Sequence, residues 1–374
     1  MAYIYRGSRP IEIAETFIDS YINNKPVEEL IPDGISNYHH GVFLSGVESI
    51  YLQNEKKEYG QYISEYLNKA IDEKKMLKRK DGHFWCSLNS LDFRQVGNLL
   101  IRIYKQSGDR RYFEPIAELV ETLKTDYPKN SHGGFWHMKS QPNQMWLDGL
   151  YMAGPLCAKY GIISGKYEYC EMALKQAILM YENMHDEKDG LLYHGWDDSF
   201  QAEWADKKTG LSPEKWGRAL GWFTVGAVDV IEALGTDFPG CDKLLGYVNN
   251  IFEALVKVQK ESGYWCQVID KPNEMGNWEE TSCTCLIAYS MAKAVRLGYI
   301  DEKYIENAKR AYQAVVNSLK KGENGEIILE KICQGTSIEK GTYEYYINRA
   351  TIANDMHGGG AFLLMCGELN KCEA

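Results

Sequence analysis

The spacing of apolar and polar residues along the chain predicts a protein built almost entirely of α-helices. Apolar residues recur at steps of three and four, the period of a helix with one buried face. In residues 301–321, for example, Tyr304, Ala308, Ala311 and Val315 share one face, and Lys and Glu occupy the other. The same periodicity predicts twelve helices, near residues 10–23, 40–55, 57–76, 90–106, 109–126, 145–160, 164–185, 212–235, 240–260, 280–298, 301–321 and 358–370.

The predicted helices alternate between two kinds. Helices 145–160, 212–235, 280–298 and 358–370 are rich in Gly, Ala and Cys and carry few charges, whereas the helices between them have one charged face. An inner and an outer ring of helices explain this alternation, so we predict an all-α fold, a closed (α/α)6 barrel of six helical hairpins. An open helical solenoid is the alternative, although the last helix is too apolar for the polar end that a solenoid needs.

The connecting segments repeat as well. A Gly is followed two or three residues later by a large aromatic residue in 81–85, 133–137, 189–194 and 262–265, and Asn324-Gly325 begins a degenerate fifth copy. The distance along the chain from one copy to the next is the length of one helical hairpin with its loop. Since no Pro-, Ser- or Gly-rich linker interrupts the pattern, we expect residues 1–374 to form a single domain.

Composition narrows the class of protein. The net charge is −10, which argues against nucleic acid or an anionic membrane as a partner. The ten Cys residues include no CxxC pair, so we expect reduced, buried thiols. The first residues lack the apolar core of a signal peptide, and no apolar run is long enough to cross a bilayer. These features predict a cytoplasmic protein, either a monomer or a weak oligomer.

The densest unusual segment is 133–155, which contains Asp148. Pro142 ends a loop and Asn143 is a reasonable N-cap, so Gln144–Asp148 is predicted in the first turn of an inner helix. Aromatic and apolar residues flank Asp148, and no Lys or Arg follows it at i+3 or i+4. A poorly solvated carboxyl group has a raised pKa and can act as a general acid. Complementation of the helix dipole is the alternative role for this residue.

A second candidate region is helix 212–235, with Ser212 as its predicted N-cap and Pro213 at its first position. Arg218 and Trp222 share one stripe of this apolar helix. An Arg there needs a partner, and the guanidinium suits either a structural ion pair or a substrate carboxylate. Asp92 lies at the start of another predicted helix, and taken alone it indicates only the structural role of an acidic residue at a helix start.

Metal and cofactor sites are not predicted. His39 and His40 are adjacent and diverge on a helix, and no HxxxH pattern occurs among the eight His residues. No phosphate-binding Gly loop follows a strand, and no GxSxG nucleophile elbow is present. The sequence therefore indicates a carboxyl-driven site among aromatic rings, with no cofactor and no metal.

Six motifs, in order along nearly the whole chain, resemble the unsaturated rhamnogalacturonyl hydrolases of glycoside hydrolase family 105. They are Trp136-His137 with Gln144–Met152, His194–Asp197, Trp216–Trp222, Trp265–Asp270, Glu280–Ser282 and Asn354-Asp355 with Gly358. The family has the (α/α)6 barrel of the six-hairpin glycosidases, in agreement with the fold predicted above.

The resemblance implies a small oligosaccharide substrate left by pectin lyases, with a 4,5-unsaturated galacturonate linked to rhamnose at its non-reducing end. The implied reaction begins with protonation of C4 of the vinyl ether and addition of water at C5. The hemiketal then opens and releases rhamnose without attack at C1. This differs from two-carboxylate glycoside hydrolysis at the anomeric carbon.

The resemblance also implies roles for particular residues. Asp148 matches the acid, and Asp92 matches a second acidic residue that holds sugar hydroxyls. His137 and His194 match pocket histidines. Arg218 matches a partner of the uronate carboxylate, and Trp216 and Trp222, with Trp136 and Trp146, are assigned to the walls around Asp148. Met145 is expected one helical turn before Asp148, and Tyr38 matches a usual aromatic position. The chain departs from the family at Met138, where a Lys is familiar, and Lys139 follows it.

Three other interpretations remain open from the sequence. Hydrolysis of another unsaturated uronide, or sugar epimerisation or isomerisation by His137 and His194 on the same type of barrel, would use similar residues. A helical scaffold or glycan-binding module would explain the hairpins, but it gives no reason for an unpaired acid beside Trp.

Overall fold

Twelve long helices dominate the computed structural model, which describes residues 7–30, 37–71, 79–80, 83–84, 88–323 and 325–373. The helices are α1 Pro10–Asn24, α2 Tyr38–Asn54, α3 Lys57–Ala70, α4 Gly97–Ser107, α5 Arg110–Thr125, α6 Asp148–Ser164, α7 Glu168–Met184, α8 Gly217–Leu234, α9 Cys241–Val258, α10 Thr281–Arg296, α11 Ile305–Ser318 and α12 Met356–Glu373.

The even-numbered helices form an inner ring. Each packs against the next even-numbered helix, and α12 packs extensively against α2, which closes the ring. The odd-numbered helices lie outside, each against an inner neighbour. This closure rules out the open solenoid and confirms the (α/α)6 barrel. Because inner and outer helices alternate along the chain, the six inner helices run in the same direction.

Short elements connect the helices. Two 3₁₀ turns, Leu91–Arg94 and Glu302–Tyr304, and two short helices, Val27–Leu30 and Tyr343–Ile347, lie between them. Three two-stranded antiparallel pairs are also present: β1 Arg79–Lys80 with β2 His83–Phe84, β3 Gln144–Trp146 with β4 Gly195–Asp197, and β5 Lys320–Lys321 with β6 Ile327–Ile328. In β3–β4, Gln144 lies opposite Asp197 and Trp146 opposite Gly195.

The repeated Gly–aromatic segments are tight turns after the outer helices. In three of them a backbone amide donates to a carbonyl four or five residues later, from Asn130, Asp186 and Lys260. Gly133, Gly190 and Gly263 have positive φ angles of 83°, 79° and 98°, a conformation that favours glycine. The degenerate fifth copy is the β5–β6 hairpin, with Gly325 at a φ of 84°. Asp81, Gly82 and Trp85 of the first copy lie outside the described residues.

The predicted inner helices 145–160 and 212–235 begin later than expected. Residues 145–147 precede α6, because Asn143 turns the chain at a φ of 62° and Gln144–Trp146 pair with β4. The predicted cap at Ser212 and Pro213 is also wrong, since α8 begins at Gly217. The Ser212 hydroxyl instead accepts a hydrogen bond from the backbone amide of Gly195, 3.1 Å away.

Other helix boundaries also differ, and the largest difference is at α4, which begins at Gly97. Helix α7 begins at Glu168, because Gly165 ends α6 in a left-handed conformation. The predicted helices 90–106 and 301–321 each begin with a 3₁₀ turn, and α11 ends before β5. Helix α3 ends at Ala70, and residues 72–76 of its predicted span lie outside the described residues.

The expected state of the thiols is confirmed for the nine cysteines in the described ranges, which are free and mostly buried. Among the described helices, none combines the length and apolar character needed to cross a bilayer.

Two glycines allow α2 and α12 to approach closely. A Cβ added at Gly360 would lie 2.4 Å from the carbonyl oxygen of Val42 and 2.7 Å from the amide nitrogen of Phe43. A Cβ at Gly46 would lie 2.7 Å from the carbonyl oxygen of Gly360. The contact that closes the barrel is therefore made backbone to backbone, with no room for a side chain.

We expect Gly360→Ala to destabilise the protein by about 2 kcal/mol or more, because the backbones of α2 and α12 must separate. Thermal or denaturant unfolding measures the change. Gly246→Ala is the matched control: Gly246 lies within α9, and an added Cβ meets nothing within 4 Å. This control should be neutral or stabilising, because Ala favours a helix interior over Gly by about 1 kcal/mol. Equal stability of the two variants would contradict close packing at Gly360.

Candidate active site

A cavity of about 320 Å³ lies where the N-terminal ends of the inner helices meet. Asp148 is the first residue of α6 and Tyr38 the first residue of α2, and both line this cavity. Helix N-termini carry partial positive charge, so this end of the barrel favours anionic groups. The lining residues are Tyr38, His39, Asp92, His137, Met138, Trp146, Asp148, Met152, Gly335, Thr336, Ser337, Glu339 and Arg349.

Asp148, His194 and Tyr346 form a hydrogen-bonded chain. His194 Nε2 lies 3.1 Å from Asp148 Oδ2, and His194 Nδ1 lies 2.7 Å from the hydroxyl of Tyr346. His194 and Tyr346 are fully buried, and Asp148 is 8% exposed. The carboxylate is thus the member of the chain that reaches the cavity.

The pairing of β3 with β4 positions this chain. Trp146 lies opposite Gly195, and the amide of Leu147 donates to the carbonyl of His194 at 3.1 Å. The next residue, Asp148, therefore emerges beside the His194 ring. The ring is also held by Trp216, whose centroid lies 4.8 Å away.

Asp92 and His137 form a second acid–imidazole pair across the cavity wall. His137 Nε2 lies 3.3 Å from Asp92 Oδ1. The amide of Leu91 donates to the carbonyl of His137 at 3.0 Å, which fixes the two segments side by side. The His137 ring stacks on Trp146 at a centroid distance of 4.4 Å. The two candidate acids therefore lie in one cavity, each beside a histidine.

The predicted rise in the pKa of Asp148 is wrong for the free protein. Burial raises the pKa of this carboxyl, but the His194 hydrogen bond and the charges of His194, His137 and Arg218 outweigh burial and lower it below its ordinary value. Neighbours on the same helix predict a raised pKa, whereas His194 and His137, which lower the pKa, come from other segments.

The pKa values of the two histidines shift in opposite directions. Burial lowers the pKa of His194 and outweighs the effect of Asp148, so its imidazole is neutral near pH 7. Burial also opposes protonation of His137, but the charge and hydrogen bond of Asp92 raise its pKa above the ordinary value. Burial raises the pKa of Tyr346 far above its usual range. Tyr346 therefore keeps its proton.

Arg218 lies beneath the cavity and is not one of its lining residues. It is 1% exposed, its Nη2 donates to the carbonyl of Gln334 at 2.8 Å, and its Nη1 donates to the carbonyl of Cys333. Glu280 lies 3.9 Å away and accepts from the amide of Cys333 at 2.8 Å. Of the two roles left open by the sequence, these contacts favour the structural one: Arg218 and Glu280 hold the segment that leads into Gly335–Ser337.

Of the indoles assigned to the walls, Trp146 lines the cavity, and so does Tyr38, which matched a usual aromatic position. Trp222 lies behind Tyr38, with its ring stacked 5.0 Å from Tyr151. Trp216 lies behind His194, with the Arg218 guanidinium 4.4 Å from its ring centroid. These two indoles support lining residues from a second layer.

Three further predictions concern methionine, lysine and Trp136. Met145 is in β3, so its placement one helical turn before Asp148 is wrong, and Met152, one turn after Asp148, lines the cavity instead. Met138 lines the cavity, whereas the ammonium of Lys139 lies 5.7 Å above the ring of Tyr127. Trp136 is not among the lining residues.

Sequence reasoning missed the segment from Gly335 to Arg349 altogether. Thr336, Ser337, Glu339 and Arg349 line the cavity, but their stretch shows neither helical nor strand periodicity. The nearest signal was Arg349 itself, which follows a stretch of Tyr, Glu, Ile and Asn at residues 343–348.

His39, Asp355 and His357 form a cluster at the edge of the cavity. His39 Nδ1 and His357 Nδ1 lie 2.9 and 2.7 Å from the same Asp355 oxygen, and 3.3 Å from each other. These are ligand types that bind divalent metals, and spacing along the chain did not reveal them because His39 and His357 come from opposite ends of the barrel sequence. Two imidazole groups that share one carboxylate account for the distances without an ion.

Comparisons with known proteins match the chain to one enzyme class. The family model described as Glycosyl Hydrolase Family 88 matches residues 12–372. A solved structure of a glycoside hydrolase from family 105, from C. acetobutylicum ATCC 824, superposes with a TM-score of 0.88 at 32% identity, over 96% of this chain and 99% of that one.

Two curated proteins are also similar. One is named "Unsaturated rhamnogalacturonyl hydrolase YesR", from Bacillus subtilis (strain 168), and is 25% identical over 82% of this chain and 81% of its own length. The other is named "Unsaturated 3S-rhamnoglycuronyl hydrolase", from Alteromonas sp. (strain LOR), and is 21% identical over 61% of this chain and 56% of its own length. The chain is a glycoside hydrolase that belongs to Glycosyl Hydrolase Family 88, and its family 105 resemblance is confirmed.

Proposed function

We propose that the protein releases a 4,5-unsaturated galacturonate from the non-reducing end of rhamnogalacturonan fragments. The observation that carries this proposal is the Asp148–His194 pair, a buried carboxyl group at the positive end of a helix and open to a cavity of disaccharide size. The similarity to YesR supports unsaturated galacturonyl-rhamnose as the substrate.

The proposed reaction adds water across the C4=C5 vinyl ether. Asp148 gives its proton to C4, and positive charge develops at C5 and the ring oxygen. Water attacks C5 and returns a proton to Asp148. The hemiketal at C5 opens by breaking its bond to the ring oxygen, and the hemiacetal left at C1 releases rhamnose, which leaves a keto group at C5 and an aldehyde at C1.

Asp148 has a low pKa in the free protein, so it must gain its proton as substrate binds. A bound sugar expels water and brings its own carboxylate into the cavity, and both effects raise the pKa of a neighbouring carboxyl group. The Tyr346 hydroxyl is compatible with Asp148 in its ionised and in its protonated state, because this hydroxyl can donate to His194 Nδ1 or accept from it. The proton shared by Asp148 and His194 can therefore reside on either partner.

A second substrate of the same class is an unsaturated uronide from another polysaccharide, which the similarity to the Alteromonas protein favours. An assay across a panel of lyase products ranks these substrates. It measures the loss of the ultraviolet absorbance of the conjugated double bond. In heavy water the hydrolase places deuterium at C4 of the released keto-uronate, which distinguishes it from an epimerase or isomerase that uses His137 and His194. No change in absorbance with any unsaturated fragment would overturn the proposal.

We expect Asp148→Asn to lower kcat by about a thousandfold or more, because the amide cannot donate an acidic proton. Substrate binding, measured by calorimetry, should persist. Asp242→Asn is the control, since Asp242 is an exposed acid in the first turn of α9 and its loss should leave kcat unchanged. Retained turnover in Asp148→Asn would refute the role of Asp148.

The lowered pKa of Asp148 gives a signed pH dependence. The reactive form is protonated, so kcat/KM should fall about tenfold per unit as pH rises from about 5 to about 8, because kcat/KM reports the free enzyme. The value of kcat should stay flat to higher pH, since bound substrate raises the same pKa. Calorimetry in buffers of different ionisation enthalpy should show proton uptake when a saturated galacturonyl-rhamnose binds. Binding without uptake would contradict this account.

We expect Tyr346→Phe to lower kcat about tenfold with little change in KM, because His194 Nδ1 loses its partner, a cost of about 1.4 kcal/mol. Tyr343→Phe is the matched control from the same short helix, since its hydroxyl donates to the surface carbonyl of Met275. A shift in the pH profile of kcat for Tyr346→Phe distinguishes positioning of His194 from general loss of structure. Equal kinetics of the two variants would exclude a role for Tyr346.

A further inference from the structure

The cavity contains three carboxyl groups and a single cationic Arg or Lys side chain. Asp92, Asp148 and Glu339 line it, and Arg349 is the one Arg or Lys among the described lining residues. A uronate that enters this cavity meets like charges, which repel its carboxylate. Binding of an acidic sugar therefore needs a cation that faces the cavity.

The other nearby cations do not meet this requirement. Arg218 is fully buried and donates to the carbonyls of Cys333 and Gln334. The ammonium of Lys139 lies over the ring of Tyr127. Neither residue lines the cavity.

Arg349 lies just after the short helix Tyr343–Ile347 and is partly exposed. Its Nε donates to the hydroxyl of Thr336 at 3.0 Å, and its Nη2 donates to the carbonyl of Gly335 at 2.7 Å. Its guanidinium carbon lies 5.2 Å from the ring centroid of Tyr345. These contacts fix the orientation of the guanidinium, yet both hydrogen-bond partners are neutral. A guanidinium has five N–H donors, so donors remain for a ligand.

Resting on the proposed function, we propose that Arg349 binds the carboxylate of the unsaturated uronate and makes the site specific for an acidic sugar. The fork of a guanidinium matches a carboxylate, and charge-assisted hydrogen bonds of this kind are strong. Because Thr336, Gly335 and Tyr345 already hold the side chain in place, its ordering costs little on binding.

A matched pair of sugars tests this role. The probes are unsaturated galacturonyl-rhamnose with a free carboxylate and its C6 methyl ester, and calorimetry measures their dissociation constants in the Asp148→Asn background, where neither is consumed. The free acid should bind about 10- to 100-fold more tightly than the ester. Adding Arg349→Gln should reduce this preference to about twofold or less, because the affinity for the ester barely changes.

Three further variants separate charge from structure. Arg349→Lys keeps the charge and should retain part of the preference for the acid. Thr336→Val removes the acceptor for Arg349 Nε, so the less ordered guanidinium should bind the free acid more weakly and reduce the preference for the acid in part. Lys139→Gln removes a nearby charge that does not line the cavity, and it should leave the preference intact.

The outcomes distinguish this inference from the proposed function. Turnover of the free acid by the wild-type protein is measured first, and its absence would overturn both the proposed substrate and the role of Arg349. Turnover together with an unchanged preference in Arg349→Gln, or an equal loss for acid and ester, would overturn the role of Arg349 alone.

Discussion

The parallel direction of the six inner helices is the constraint on which the site depends. Because outer and inner helices alternate along the chain, the inner N-termini lie at one end of the barrel and bring unpaired amides and partial positive charge there. Asp148 occupies the first position of α6 at this end. Segments between the helices add Asp92, His137 and His194 around it. The fold thus creates an electropositive end, and the loops supply the acids and bases that use it.

Two arginines near this end illustrate how burial divides structural from ligand-binding roles. Arg218 donates to two carbonyls, lies near Glu280 and is shielded from solvent, so removal of either charged partner would leave the other buried and unpaired. Arg349 donates hydrogen bonds to Gly335 and Thr336, the next residues of the same segment, from the side that faces the cavity. One arginine fixes the base of the segment and the other fixes its tip, and only the second is accessible to a sugar.

The sequence predicts what depends on local periodicity. Alternating amphipathic and apolar helices indicated the closed barrel, and a carboxyl group among aromatic residues singled out Asp148. Features that join distant segments were not predictable in the same way. The pairing of Gln144–Trp146 with Gly195–Asp197 displaced the start of α6 and brought His194 to Asp148, and this contact reversed the direction of the expected pKa shift. Arg349 was missed because its segment has no periodic pattern, so its side-chain direction depends on hydrogen bonds to Gly335 and Thr336.

The low pKa of Asp148 in the free protein is compatible with an acid that acts only on bound substrate. The charge and hydrogen bond of Asp92 favour the protonated imidazole of His137 and raise its pKa. The Asp148–His194 pair carries one negative charge, because burial keeps His194 neutral. A uronate that enters beside Asp148 adds a second negative charge and displaces water, and uptake of one proton by Asp148 restores the original charge of the site. In the proposed reaction, protonation of Asp148 is then coupled to the arrival of an anionic sugar, and a neutral sugar would not bring about the same coupling. In the proposed reaction, the carboxylate of the substrate thus contributes both to recognition and to protonation of Asp148, the group that transfers its proton to C4.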